Sequence, residues 1–488
     1  MKREITRKDY IKAGAAILCI AALLLSGCFY PAQCTILLLL FGVLLLFVRT
    51  GAPLAGVLCA LFCFVGFLLS GFLAGNALSA PYEIMKYAFL FFPLFVADSE
   101  VKKSMLAGLA AGAVLLSAIS VAGLVIPALQ IGAGSLLEYE NTMAVFACFG
   151  AAATLYAAKT NPARRFFYGV LSALCIVAML AANSIFLYAC IAAALAVVLC
   201  LRYRRARYYV AGAVAVAGVG LVCLFAFGKE DLLLTSTVAS RLIYWQDALG
   251  IILQHPFGIG VYGWENMQYA VQSAPYSVKY VHNSILQLLL DGGVPAAAGF
   301  LGFAVFGVVK AVGRYRADRE ERSLLLIFLI VVLLLHALFD FDHAYGAYLL
   351  TLGVCIAQTA SPAPRRFPAA TAALCIAALL GIGALYAAPE EETAVMTLTA
   401  QYQAAYEASD YERAYGLAEE LLAQAPRQQA SYDAAYLSID KLKDLGYSNR
   451  YEGALEQLRQ QADEINASMN PLVRYLDRHQ QIVLPAAQ

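Results

Sequence analysis

The sequence predicts an all-α polytopic membrane protein of about 13 transmembrane helices, followed by a small extracytoplasmic helical domain. Three observations carry that expectation: an apolar composition, apolar runs at bilayer length, and a change of composition near residue 388. Of the 488 residues, 61% are hydrophobic and only 14% charged. A soluble domain is nearer half apolar and a quarter charged, so most of the chain has lipid as its solvent. Thirty-four Lys+Arg against 33 Asp+Glu leave a net charge of +1, with no basic field for nucleic acid.

Thirteen apolar spans are read at about 13–29, 34–48, 53–75, 81–97, 104–128, 139–158, 166–182, 185–201, 208–228, 290–309, 323–339, 345–360 and 369–388. The fourth, seventh and eighth fall short of the roughly 20 residues of a bilayer crossing. With the N-terminus cytoplasmic, loops on that side hold 22 Lys and Arg. The opposite loops hold only Lys86, Lys229, Arg241 and Lys279. That asymmetry is a positive-inside signal, and an odd number of spans sends the tail outside. The 12 cysteines lie in or beside apolar spans and read as packing residues. Leu25-Ser26-Gly27-Cys28 also spells a lipoprotein box. A new span resumes at Thr35 where a lipoprotein would have a polar tether, so a signal-anchor helix is the better reading.

The transmembrane domain is therefore 1–388, with its longest extracytoplasmic loop at about 229–281. There, Ser240 to Gln254 reads as a helix, with Tyr244 and Trp245 suited to the headgroup level. His255-Pro256 ends it, and Gly258 and Gly260 make a turn. The stretch onward to Lys279 offers Trp264 and three tyrosines but little core. In the tail, 389–488, a helix-turn-helix pattern runs through Tyr406, Tyr411, Ala414, Leu417 and Leu421 to Pro426. It suits one tetratricopeptide-like repeat or a generic helical hairpin, followed by helices at about 430–445 and 450–468. Either form is expected to be a docking or stabilising module, with envelope proteins as its expected partners.

Four of the five histidines lie at the outer face on this topology. His255 and His282 bracket the long loop, and His336 and His343 bracket a short one that also holds Asp340 and Asp342. Ionisable groups at a membrane boundary are costly and mark function. His336 and His479 read as solvated interface residues; His282 does not. It opens His282-Asn283-Ser284, a polar start to an apolar helix that breaks at Gly292-Gly293. Such a histidine reaches water, has an apolar wall behind it, and suits a general base.

Around His282 the chain resembles the O-antigen ligase and polymerase family of membrane glycosyltransferases. The family motif is His, then Asn, Ser or Gln, nine residues, Gly, two residues, and Gly, Thr or Tyr. His282, Asn283 and Gly293 match, and Ala296 departs. Arg241 with Trp245, the His255-Pro256-x-Gly258-x-Gly260 turn, and His336-x-x-Phe339-Asp340 extend the likeness over about 235–345. The family's Ser-Arg pair between the seventh and eighth spans is replaced by Asn183-Ser184-Ile185.

The resemblance implies a GT-C-like fold in a bacterial cytoplasmic membrane. It implies transfer from a polyprenyl-diphosphate-linked glycan donor to a glycan, lipid or protein acceptor, without a cofactor. A departing diphosphate needs cations. Arg241 is the best bidentate candidate and Lys279 the second, while Lys86 pairs with Glu83 and snorkels. Trp245 and Trp264 are expected to stack on sugars, with Asn283, His255, Asp340 and His343 lining the substrate. The long loop has no Asp-x-Asp motif, which favours a metal-independent mechanism, and the transfer is expected to invert at the anomeric carbon. Asp340 and Asp342 stand as a metal-binding or histidine-orienting pair. The alternative is a transporter of a lipid-linked or anionic solute.

Overall fold

The computed structural model describes residues 6–227, 229–360, 394–476 and 481–484. The thirteenth expected span and His479 lie outside the described residues. Among the described residues the chain is all-helical, with no strand. Twelve expected spans coincide with helices: α1 Arg7–Leu24, α2 Pro31–Phe47, α3 Leu54–Leu73, α4 Ala80–Phe95, α5 Ser99–Val125, α6 Glu140–Thr160, α7 Arg165–Ala182, α8 Ile185–Arg202, α9 Ala206–Ala226, α12 Ser284–Asp318, α13 Glu321–His336 and α14 Gly346–Thr359. The long loop supplies α10 Ser236–Gln254 and α11 Gly263–Val271. Among the described residues, seven helices are long and apolar enough to cross a membrane by length and composition. The protein is thus an all-α polytopic membrane protein.

Helices α4 and α14 form the centre, and every residue of α14 is buried. Helices α7 to α9 lie at the periphery and turn apolar side chains such as Phe166, Leu180 and Val216 outward, as contact with lipid requires. Lipid gives helices no hydrophobic reason to associate, so close packing must come from small residues. At the α3–α12 contact a Cβ on Gly299 would collide with the backbone of Cys59 and Cys63. That glycine lets the two backbones touch.

The expected break in α12 is present and has a defined purpose. Gly293 adopts φ 67°, ψ −171°, which opens the helical ladder there. Val294 N–H donates instead to Pro256 O at 2.8 Å, and Leu290 O accepts from Ile259 N–H at 2.6 Å. The Pro256–Gly260 turn is therefore stitched into the kink. Beyond it, the loop has more core than its composition suggests. Ile243, Ala248, Ile251, Trp264, Tyr276 and Val281 pack together, and Asp247 holds the Tyr276 hydroxyl and Ser273 N–H, each at 2.8 Å.

The tail forms α15 Ala394–Glu407, α16 Tyr411–Gln424, α17 Gln429–Leu442 and α18 Ser448–Ala467, each packed on the next. Asp410 caps α16 by accepting from Arg413 N–H. Tyr402, Ala418, Leu421, Tyr432 and Ile439 make its core. Its last segment docks on the long loop. Asn470 N–H donates to Ser273 O at 2.8 Å and its amide to Gln246 at 3.0 Å, while Leu472, Val473 and Leu476 cover the loop's core.

Candidate functional site

The site lies at one end of the bundle, where the helix starts and ends of like parity meet. The turn before α6, the long loop, the start of α12 and the α13–α14 loop all contribute to it. The other end carries Lys159, Arg202 and Glu321 in ion pairs, and Arg314 and Lys102 on the carbonyls of Gln358 and Ala357.

Asp340 is the hub. Its carboxylate accepts from the Tyr139 hydroxyl at 2.7 Å, Asn141 Nδ2 at 2.7 Å, Phe341 N–H at 2.9 Å and an Arg241 terminal nitrogen at 3.3 Å. His282 Nδ1 is 3.2 Å from Asp340 Oδ1. Burial by itself would raise this carboxyl. The His282 hydrogen bond and charge, then His336 and Arg241, outweigh it and hold Asp340 well below the usual carboxylate range. The ionised Asp340 accepts the hydrogen on Nδ1, so the proton that His282 can give up or take is the one on Nε2. His282 itself sits at φ 51°, a left-handed conformation costly for a non-glycine residue. Trp245 Nε1 secures it by donating to the carbonyls of Val281 at 3.0 Å and His282 at 3.3 Å.

His282 lines a cavity of about 440 Å3 together with Lys279, Glu138 and six aromatic residues, Phe29, Tyr30, Tyr139, Tyr280, Phe341 and Tyr345. Aromatic walls with a few polar groups suit a ligand having both flat apolar faces and hydroxyls.

Several expected roles change. Arg241 is only 6% exposed. It donates to Phe339 O at 2.9 Å, Thr237 O at 3.2 Å and Asp340, with Phe186 stacked 4.6 Å from its guanidinium. It is a buried partner of Asp340, with few donors left for phosphate. Trp264 is fully buried, and its Nε1 donates to Val278 O, so it is a core residue and not a sugar platform. Asn283 is the N-cap of α12, its Oδ1 accepting from Ile285 and Leu286 N–H at 3.0 Å. His255 is exposed at the end of α10, 14 residues and about 20 Å of helix from Arg241. It does not join the cluster.

His336 is not solvated. It is fully buried, its Nδ1 2.6 Å from Asp342, which also accepts from Thr142 at 2.9 Å. Asp340 and Asp342 therefore serve different histidines and do not act as one pair. His343 is buried too, its Nδ1 3.0 Å from Ser284 Oγ, which donates to Asp340 O. Burial, then the charge of Lys86, pushes it down to about 3, against the pull of Asp340. It braces the loop and does not line the cavity. Lys86 pairs with Glu83 at 2.7 Å, but both are buried, so it does not snorkel. Asp291 is buried as well, against Gln287 at 3.0 Å. Cys28 is fully buried among the bundle helices, which leaves no space for a lipid modification.

Sequence reasoning missed Tyr139, Asn141, Thr142, Tyr280 and Phe186. The run Glu138-Tyr-Glu-Asn-Thr142 carries the same signal as His282-Asn283-Ser284, polar residues opening an apolar helix.

Fold and site together define a multi-pass membrane protein whose histidine–carboxylate centre faces an aromatic cavity at one end of the bundle. Residues 167–301 match the family model described as O-Antigen ligase, and over that stretch the chain is similar to that family. No curated protein matches the chain. The match begins upstream of the stretch singled out by motif and stops before Asp340. It includes Arg241, Lys279, His282 and Gly293, and it points to a glycosyltransferase-type enzyme using a lipid-linked glycan donor and an acceptor.

Proposed function

We propose that the protein moves a glycan from a polyprenyl-diphosphate carrier to an acceptor hydroxyl, at the outer face of a bacterial cytoplasmic membrane. The observation that carries this reading is the His282–Asp340 pair, 3.2 Å apart, with His282 lining an aromatic cavity that also holds Lys279. His282 Nε2 takes the proton of the acceptor hydroxyl. The freed oxygen attacks the anomeric carbon, the bond to the diphosphate breaks with inversion, and the diphosphate leaves with the electron pair. The Lys279 ammonium meets its charge. Asp340 fixes the tautomer of His282 and stabilises the imidazolium, and Arg241 positions Asp340. Tyrosine faces of the cavity hold sugar rings. The chemistry uses side chains alone and calls on no metal. The C-terminal domain lies on the same outer side and docks on the loop that carries Arg241.

The test is glycan product in cells carrying His282→Ala or Lys279→Met at normal protein level. Loss of product with accumulation of polyprenyl-linked donor is expected for both. Unchanged product in His282→Ala removes the base assignment.

A further inference from the structure

Away from the His282 cavity, the tail carries a groove of about 570 Å3. Helices α16 and α18 each pack on α17, and the groove is the gap left between them. Its floor is aliphatic, with Leu422, Ile439 and Leu458. Its rims are acidic and amide, with Glu419 on α16 facing Gln461 and Glu464 on α18. An adjoining hollow adds Glu412. Among the described residues no lysine or arginine lines either space. Residues 394–476 carry twelve Asp and Glu against seven Lys and Arg, so the surroundings repeat that sign.

From this charge pattern we infer that the groove binds a basic polypeptide segment, apolar side chains on the floor and lysines or arginines against the rims. The tyrosines argue against a saccharide there. Tyr415 and Tyr451 contact each other edge to face at 5.3 Å and do not offer parallel open platforms. The groove is separate from the His282 cavity, so this inference stands whether or not His282 is the base.

The experiment uses the full chain in nanodiscs of zwitterionic lipid, with empty nanodiscs as blank. The probe is a fluorescein-labelled dodecapeptide alternating lysine and alanine, followed by anisotropy. Saturable binding is expected, weakened about two- to fivefold by each of Glu419→Gln and Glu464→Gln and by raised salt. Glu420→Gln and Asp463→Asn, whose residues line neither space, should leave it unchanged. No binding overturns the inference. So does equal weakening by the off-groove variants, which would mean diffuse attraction. Binding of a neutral oligosaccharide that Tyr415→Ala abolishes, with no peptide binding, overturns it in favour of a glycan site.

Discussion

Two histidine–aspartate pairs stand side by side, their carboxylates on the same short loop, and do different things. His282–Asp340 is 3.2 Å apart with the His282 side chain 22% exposed, while His336–Asp342 is 2.6 Å apart with both side chains at 0%. The chemistry of the two pairs is the same, and access separates them. Nε2 of His282 belongs to a residue that lines a cavity, whereas Nε2 of His336 is buried without a partner. A histidine that no substrate can reach is a structural group, however well its carboxylate orients it. Asp342 instead ties α13 to Thr142 on α6.

Substitutions should pull the pairs apart. The largest effect is expected for His282→Ala, a fall in transfer of about 10²–10⁴-fold with little change in melting temperature. Turnover of purified protein with lipid-linked donor, beside a thermal melt, checks it. A loss of fold equal to the loss of rate would erase the contrast. Asp340→Asn follows, with about 10–100-fold lower transfer, because the carboxylate that sets the His282 tautomer is gone. It also leaves Arg241 buried beside a neutral amide, so stability should drop with it.

His336→Ala should show the reverse of His282→Ala. It strands the Asp342 carboxylate, costing about 3–5 kcal/mol of stability. Transfer per folded molecule should stay within about twofold, measured by normalising turnover to folded protein. If rate per folded molecule collapses, His336 has a chemical part to play.

A further contrast is expected from acid. His343 titrates near 6.5 when unfolded and is held down to about 3 when folded, so below pH 6.5 the unfolded chain binds a proton that the folded one refuses. Stability should fall as pH drops from about 6.5 toward 3. Asp340, held below its ordinary range, adds a further loss with the same sign below about pH 4. Thermal melts against pH should show this slope, and His343→Gln should flatten its upper part.

The sequence by itself determined the all-helical membrane fold, because apolar runs of bilayer length have only one local solution in lipid. It also located twelve described helices, the break at Gly293, and His282 as the group worth testing. Those features are written in neighbouring residues. Which partner each charged group takes was decided only by the tertiary structure. Arg241 and Asp340 are 99 positions apart, and Tyr139 and Asp340 are 201. Local pattern marks such residues as costly to bury but not what compensates them. Burial likewise turned Trp264 and His343 from presumed ligands into core, since a helix or loop shows which residue is apolar or polar but not which neighbour will cover it. Folding brought one carboxylate to a cavity-lining histidine and its near neighbour to a buried one, and that placement separates the site from the scaffold.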